Sequence, residues 1–429
     1  MIKQTVVVSC PIDTYSGYGA RSRDFVKALL KINKYEVRVL SQRWGNCRLG
    51  YLEDHNEETL SNIIIPGLTT KPDIWVQITV PNEFQPVGHY NIGVTAGIET
   101  TLCHGSWIAG INKMNLILAS SVHSKKVLED SKFEKIDQAT NKVLGSIQCQ
   151  TPIEVLFEGA DLTKYFTKNV SAKSTVFETL SDIKESFCYL SVGHWMQGSL
   201  GHDRKNIGYT VKSFMEFFKN KSNQPALILK TQSVGSSHID RDIILKRIHE
   251  IRKTVKGRVP NVYVLHGEMT DEEVNDLYNH PKVKVMVSHT KGEGFGRPLL
   301  EFSLTGKPII ASGWSGQVDF LPSDKAILLG GKLDKVHPSA VVKNVLLPES
   351  SWFFPADNHV NQAYKETFKK YKQYSKKAQS LRASNKKNFS FDKMTETLEK
   401  LLGTYIQVQP KQLDIKLPNL QMPKLVKNG

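Results

Sequence analysis

Long apolar runs are missing from this chain: stretches such as Val6 to Val8 and Ile63 to Ile65 have strand length, far short of the roughly 20 residues a helical membrane span requires. The N-terminus places Lys3 before a very short apolar stretch that enters the turn sequence Pro11 to Gly19, which is no signal-peptide pattern. The expected location is therefore cytoplasmic, a host's cytoplasm if the chain is viral. Cysteine is scarce. Cys10, Cys47, Cys103, Cys149 and Cys188 contain no Cys-x-x-Cys pair, and an odd, scattered set fits a reducing compartment without disulfides. The early Ser16-Gly-Tyr-Gly lacks the third glycine of a dinucleotide fingerprint, and no Gly-Lys-Ser/Thr follows it, so hydride transfer and nucleoside triphosphate hydrolysis lose support. No His, Cys or Asp cluster has metal-ligand spacing and no nucleophile-elbow sequence occurs. Asp240-Arg-Asp242 reads as the acidic opening of a helix, favourable to its dipole. Internal repeats are absent.

What is present is an ordinary globular composition, with 40% hydrophobic and 23% charged residues. At 429 residues the chain exceeds what one core usually organises, so two domains are expected. The formal charge of +15 attracts polyanions without specifying which; a generally basic surface explains it equally. Strand-like runs alternate with helical periodicity from Thr5–Ser9, through a helix carrying Phe25, Val26, Leu29 and Leu30, to Glu36–Leu40. Apolar runs follow at Ile74–Ile78, Ile92–Val94 and Leu116–Ala119, as parallel strands buried on both faces require. A second series begins near Cys188 and continues at Ala226–Leu229, Val262–Leu265, Val283–Val287 and Pro308–Ala311. The polar stretch Tyr165–Ser186 reads as the linker, with the join near residue 166. Asp357–Lys387 is helical in pattern and Lys-rich, with Tyr364, Phe368, Tyr371 and Tyr374 interleaved, and reads as a solvated helical face. Beyond Ile406 the chain reads as a tail or a surface-clasping arm.

The most informative segment runs from Val283 to Gly313. A buried strand ends at Ser288-His-Thr and gives way to Lys291-Gly-Glu-Gly-Phe-Gly-Arg before a helix marked by Pro298. Gly292, Gly294 and Gly296 let the backbone approach a ligand, and a following helix offers free N–H groups to an anion. Carboxylates repel phosphate, so Glu293 and Glu301 make sense there as acceptors for the hydroxyls of a sugar and a ribose. The alternative is that Glu301 complements the helix start and the glycines make a tight turn.

Glu293 to Glu301 resembles the Glu-x7-Glu pattern of retaining GT-B glycosyltransferases, the broad group that contains glycogen synthases and many bacterial mannosyltransferases. The neighbourhood is similar too, from Val262-Tyr-Val-Leu-His-Gly-Glu-Met-Thr-Asp-Glu-Glu upstream to Gly306-Lys-Pro-Ile-Ile-Ala-Ser-Gly downstream. Glu154-Val-Leu-Phe-Glu-Gly-Ala-Asp resembles the family's interdomain crossing, and Phe389-Ser-Phe-Asp its terminal returning helix. The resemblance implies an α/β fold of GT-B type, two Rossmann-like doubly wound domains facing across a cleft. An acceptor domain would span residues 1–165, a donor domain 166–387, a helix returning to the first domain 388–405, and a tail 406–429.

The resemblance also implies roles. Glu301 binds the donor ribose and Glu293 the transferred sugar, while backbone amides of Gly294, Phe295, Gly296, Arg297 and Leu299 hold pyrophosphate and sugar hydroxyls. Arg204 and Lys205, opening a helix after the Val192-Gly193 strand end, neutralise the leaving diphosphate, so no metal or other cofactor is needed beside the nucleotide-sugar co-substrate. Their alternative is an exposed basic helix start. The family usually places Arg directly after the strand-end glycine; here His194 stands there, followed by a glycine-containing insertion, Gln197–Asp203, and Arg204 is the candidate replacement. On the N-terminal side Gly17, Tyr18 and Gly19 lie between the first strand and helix. Gly97-Ile-Glu-Thr-Thr through Trp107 is similar to a Trp-Glu-Thr…Trp variant of some members, with Glu99 and Thr100 the cleft candidates. His104 and His123 are assigned no role.

The reaction implied is retaining transfer of a hexosyl or pentosyl group to an acceptor hydroxyl, on a glycan or lipid-linked glycan. An alternative is a DNA glycosyltransferase of bacteriophage type that modifies hydroxymethylated bases, with Arg21, Arg23, Arg38, Arg43 and Arg48 facing the phosphates. The charge also allows a basic face that docks peripherally on a membrane. From other classes come a catalytically silent GT-B scaffold, against which both Glu293 and Glu301 argue, and a sugar-nucleotide epimerase.

Overall fold

The computed structural model describes residues 3–406 apart from 138, 141, 197, 199 and 234–236; the expected tail beyond 406 lies outside the described residues, as do two positions of the 197–203 insertion. Apolar runs without alternation require sheets covered on both faces, and two such sheets form. The first contains β1 (Gln4–Cys10), β2 (Tyr35–Ser41), β3 (Ile74–Ile78), β4 (Tyr90–Thr95) and β5 (Leu116–Ala119). A side hairpin of β6 (Lys132–Ile136) and β7 (Val143–Gln148) precedes its last strand, β8 (Ile153–Val155). All six strands are parallel, in the order β2-β1-β3-β4-β5-β8. Its helices are α1 (Gly17–Ile32), α2 (Tyr51–Asp54), α3 (Glu58–Ser61), α4 (Gly105–Ile111) and α5 (Val122–Asp130).

The second sheet has the parallel order β11-β10-β9-β12-β13-β14. Its strands are β9 (Cys188–Val192), β10 (Ala226–Lys230), β11 (Val262–Leu265), β12 (Val283–Ser288), β13 (Ile309–Ser312) and β14 (Ile327–Leu329). An antiparallel hairpin, β15 (Gly331–Lys335) with β16 (Ser351–Pro355), follows it. The accompanying helices are α6 (Thr175–Ser181), α7 (Ile207–Phe218), α8 (His238–Thr254), α9 (Asp271–Asn279), α10 (Arg297–Ser303), α11 (Asp357–Lys369) and α12 (Tyr371–Asn388). The last helix, α13 (Phe391–Tyr405), packs Met394, Leu398 and Leu402 against Phe25, Val26 and Leu29 of α1 in the first domain's core. The chain thus passes between the two sheets twice, and the passes lie side by side: Ala160 N–H donates to the Phe389 carbonyl at 2.9 Å and Phe391 N–H to the Ala160 carbonyl at 2.8 Å. No helix among the described residues is long and apolar enough to cross a membrane.

Two readings of the sequence need correction. The polar stretch 165–186 contains α6, whose Val176 and Leu180 are buried in the second core; two apolar positions within a seven-residue helix are too few to show a period. The Lys-rich stretch 357–387 is not merely a solvated face. Tyr364 is fully buried, and Phe368 and Tyr371 pack against the same cluster as Phe214 and Phe218. The aromatic stripe is a core face, with the lysines left outside.

Candidate active site

Open parallel sheets bind ligands at the carboxyl ends of their strands, where the strand order reverses. In the second domain that point lies between β9 and β12, adjacent in the sheet yet distant in sequence. The loops leaving these two strands carry Arg204 with Lys205, and Glu293. Arg204 and Lys205 sit in the turn before α7 rather than inside it, because Asn206 caps the helix in a left-handed conformation with φ 56°.

There the three side chains converge. Lys205 Nζ donates to Glu293 Oε1 at 2.6 Å and Oε2 at 2.8 Å. Arg204 Nη1 reaches Glu293 Oε2 at 3.3 Å, Glu99 Oε1 of the first domain at 3.3 Å, and the Gly292 carbonyl at 3.1 Å. Glu293 is 7% exposed. Burial alone would raise its pKa, but Lys205 and Arg204 outweigh burial and hold the carboxyl below the ordinary range. His194 supplies no comparable cation: burial lowers its pKa, and Lys205, Lys230 and Arg204 lower it further.

The three glycines around Glu293 answer three demands. A Cβ on Gly292 would lie 2.0 Å from the Glu99 carbonyl, and one on Gly294 2.0 Å from the Ala96 carbonyl, so both let the loop touch the first domain. Gly296 has φ 99° and caps α10. Phe295 and Leu299 put their side chains into the core, leaving only their backbone for a ligand. Further bonds join the two sides: Ser120 Oγ to the Gly294 carbonyl at 3.0 Å, Val122 N–H to Asp319 at 2.9 Å, and Arg48 to Glu268 at 2.9 Å. The cleft is closed here.

Arg297 organises the other end. Its Nε donates to Glu301 at 2.8 Å, and Nη1 meets Asp24 of α1 at 2.5 Å and Glu158 at 4.0 Å. Beside it opens a cavity of about 180 Å³, lined by Arg23, Asp24, Tyr51, Lys164, Asp271 and Arg297 among others. Three carboxylates share this buried guanidinium, and burial pushes Glu301 up to about 7 despite it. A carboxyl with a raised folded pKa keeps its proton where the unfolded chain has lost it, so stability falls as pH rises from the ordinary 4.5 to about 7. Glu301→Gln is expected to flatten that part of a Tm-against-pH curve; a curve of unchanged slope would assign the proton elsewhere.

On the first domain, Tyr18 OH bonds Thr95 Oγ1 at 3.0 Å and accepts from Ala96 N–H at 3.2 Å. Gly19 is required by close packing, since a Cβ would lie 2.2 Å from the Thr14 carbonyl, whereas Gly17 faces open space. Thr100 is buried and donates to the Leu102 carbonyl at 3.0 Å, and Trp107 is a core residue. Of the N-terminal candidates only Glu99 touches the charged cluster. The arginine strip is also corrected. Arg21 is buried, donating to the Phe157 and Leu156 carbonyls, and Arg23 is buried against Ile12 and Thr14. Arg38, beside Glu36, and Arg48, beside Asp54 and Glu268, keep exposed side chains, so burial takes Arg21 and Arg23 out of the strip.

Sequence reasoning missed Asp24 and Glu158, whose part appears only once α1 and the interdomain crossing meet Arg297. Among solved structures, a glycosyltransferase from Rickettsia africae superposes with a TM-score of 0.63 at 14% identity, over 95% of this chain and 100% of that one. The fold is GT-B. A sucrose-phosphate synthase from Thermosynechococcus elongatus matches with a TM-score of 0.61 at 12% identity, over 94% and 99% of the two chains. HepE from Anabaena, in complex with UDP-glucose, matches at 0.56 and 12%, over 94% and 100%. No protein-family model matches the sequence, and no curated protein does. At 12–14% identity the GT-B likeness speaks to the arrangement of strands and helices.

Proposed function

We propose that the chain is a retaining glycosyltransferase that moves a sugar from a nucleoside diphosphate donor to an acceptor hydroxyl. The observation that carries this reading is the convergence of Glu293, Arg204 and Lys205 at the switch point of the second sheet, with Glu99 meeting them from the first domain. Two buried cations suit a diphosphate that gains charge as its bond to the sugar breaks, and no metal is called on for that task. Glu293 then accepts hydroxyls of the transferred sugar, and Glu301 those of the ribose, with the nucleoside toward the cavity beside Arg297. The UDP-glucose held by HepE supports such a donor through likeness of fold.

Retention follows if the acceptor hydroxyl attacks the anomeric carbon on the face the diphosphate leaves. The carbon–oxygen bond to phosphate breaks, the bond to the acceptor oxygen forms, and the departing phosphate oxygen takes the acceptor's proton. Arg204 and Lys205 stabilise the separating charges, and closure of the cleft keeps water from the oxocarbenium-like sugar. A glycan or lipid-linked glycan is the acceptor favoured; burial of Arg21 and Arg23 removes two contributors to a DNA-facing strip.

The test is a screen of UDP-, GDP- and ADP-sugars with the protein alone, with simple glycans and with hydroxymethylcytosine DNA, following product mass, with Glu293→Ala as control. Sugar added to a glycan with the donor's anomeric configuration, and lost in the control, supports the proposal. Addition to DNA alone would move the acceptor to nucleic acid, and no turnover of any donor would sink the transferase.

A further inference from the structure

Among the described residues six non-glycines have positive φ, and five are asparagines: Asn33, Asn56, Asn206, Asn220 and Asn344. Asparagine tolerates the left-handed region because its short amide bonds to nearby backbone. The sixth is Ser315, with φ 71° and ψ −160°, in a region of positive φ and nearly extended ψ that is essentially reserved for glycine. It lies in the loop after β13, is 3% exposed, and precedes Gly316, whose Cβ would fall 2.1 Å from the Gly294 carbonyl.

A glycine would satisfy this backbone without strain, so the serine persists only if its hydroxyl is needed. That hydroxyl has two partners. It accepts the Glu293 N–H at 2.9 Å and donates to Gln317 Oε1 at 3.0 Å, while Gln317 Nε2 donates to the Ser312 carbonyl at 3.0 Å. The chain of donors fixes its own direction: the amide of Gln317, buried and held at Ser312, turns its oxygen to Ser315, so the serine lone pairs face Glu293. The next residue completes the grip, because Gly316 N–H donates to the Glu293 carbonyl at 2.9 Å. Both backbone groups of Glu293 are thereby held by one loop.

We propose that Ser315 is a positioning residue: it holds a strained backbone in order to aim the Glu293 carboxylate at Lys205, Arg204 and the transferred sugar. The inference rests on the transferase reading above, and it predicts that relief of the strain restores stability without restoring turnover. Ser315→Gly relieves the strain and removes the acceptor. Against Ser315→Ala, which loses the same acceptor but keeps the strain, the Tm of Ser315→Gly is expected to be higher by about 2–4 °C, while kcat falls about 10- to 100-fold below wild type and donor KM changes less than kcat. Ser315→Ala keeps the strain and leaves the Glu293 N–H unpaired, so both Tm and kcat fall.

Thermal melts and steady-state donor turnover on wild type and both variants decide the matter. A structural role alone would move Tm and kcat together; Ser315→Gly turning over like wild type, or melting no higher than Ser315→Ala, overturns the proposal. Absence of turnover in wild type would instead sink the transferase reading, and the two failures are distinct.

Discussion

Glu293→Gln is expected to lower kcat by about 100- to 1,000-fold and, at the same time, to tighten binding of the free nucleoside diphosphate by about tenfold. The two effects have one origin. In the closed cleft the Glu293 carboxylate occupies the cations a diphosphate would use, with Lys205 on both of its oxygens and Arg204 on one. Diphosphate binding must displace that internal anion, and glutamine, carrying no charge, competes less. The transferred sugar loses its carboxylate acceptor, so turnover falls. Removing one partner of a buried ion pair also costs about 3–5 kcal/mol of stability, and a bound diphosphate restores the missing charge. Calorimetric titration with UDP, GDP and ADP, and melts with each, read both signs. A diphosphate that binds the variant no more tightly than wild type would show that Glu293 does not compete for these cations.

Strands buried on both faces announce themselves by composition alone. Ile74–Ile78 and Leu116–Ala119 begin and end in the structure where their apolar runs do, as does the half-buried edge strand Val262–Leu265. Hairpins with an exposed face carry no such signal: Lys132–Ile136 and Gly331–Lys335 are mostly polar, and their pairing depends on a partner strand elsewhere. Arg21 and Arg23 stand on a helix whose apolar period was clear, yet burial of arginine depends on the carbonyls of Phe157, Leu156, Ile12 and Thr14 being brought to it. Spacing around Glu293 and Glu301 pointed to a site because residue types there carry chemistry. The mutual pairing of Glu293 with Arg204 and Lys205 leaves no mark in spacing, since the partners stand on two loops far apart in sequence. Ser315 was invisible for a different reason: φ is a property of the folded loop, and serine gives no hint of the glycine region.

The site and the domain contact are one structure. Gly292 and Gly294 lie against the backbone of Glu99 and Ala96, Glu99 completes the Arg204 pairing, and Arg297 joins Glu301 to Asp24 across the cleft. A ligand that inserts between these groups must exchange interdomain ion pairs for its own, so donor affinity and cleft opening share the same charges.

Lys205→Met separates these contributions from the other side. It keeps most of the side chain's length and apolar stem while removing the charge that Glu293 shares through both oxygens. Burial then acts on Glu293 with Arg204 at 3.3 Å and the Thr290 hydroxyl left to oppose it, so the carboxyl pKa climbs from its depressed value. For the donor, one of two cations facing the diphosphate is gone. Nucleoside diphosphate affinity is expected to fall about tenfold and kcat about 100-fold, because charge on the departing diphosphate grows toward the transition state and the lost cation matters most there. Glu293→Gln and Lys205→Met thus both slow turnover, yet they move diphosphate binding in opposite directions. General damage to the pocket would weaken binding in both variants, whereas opposite signs require that the carboxylate and the diphosphate contend for the same buried cations.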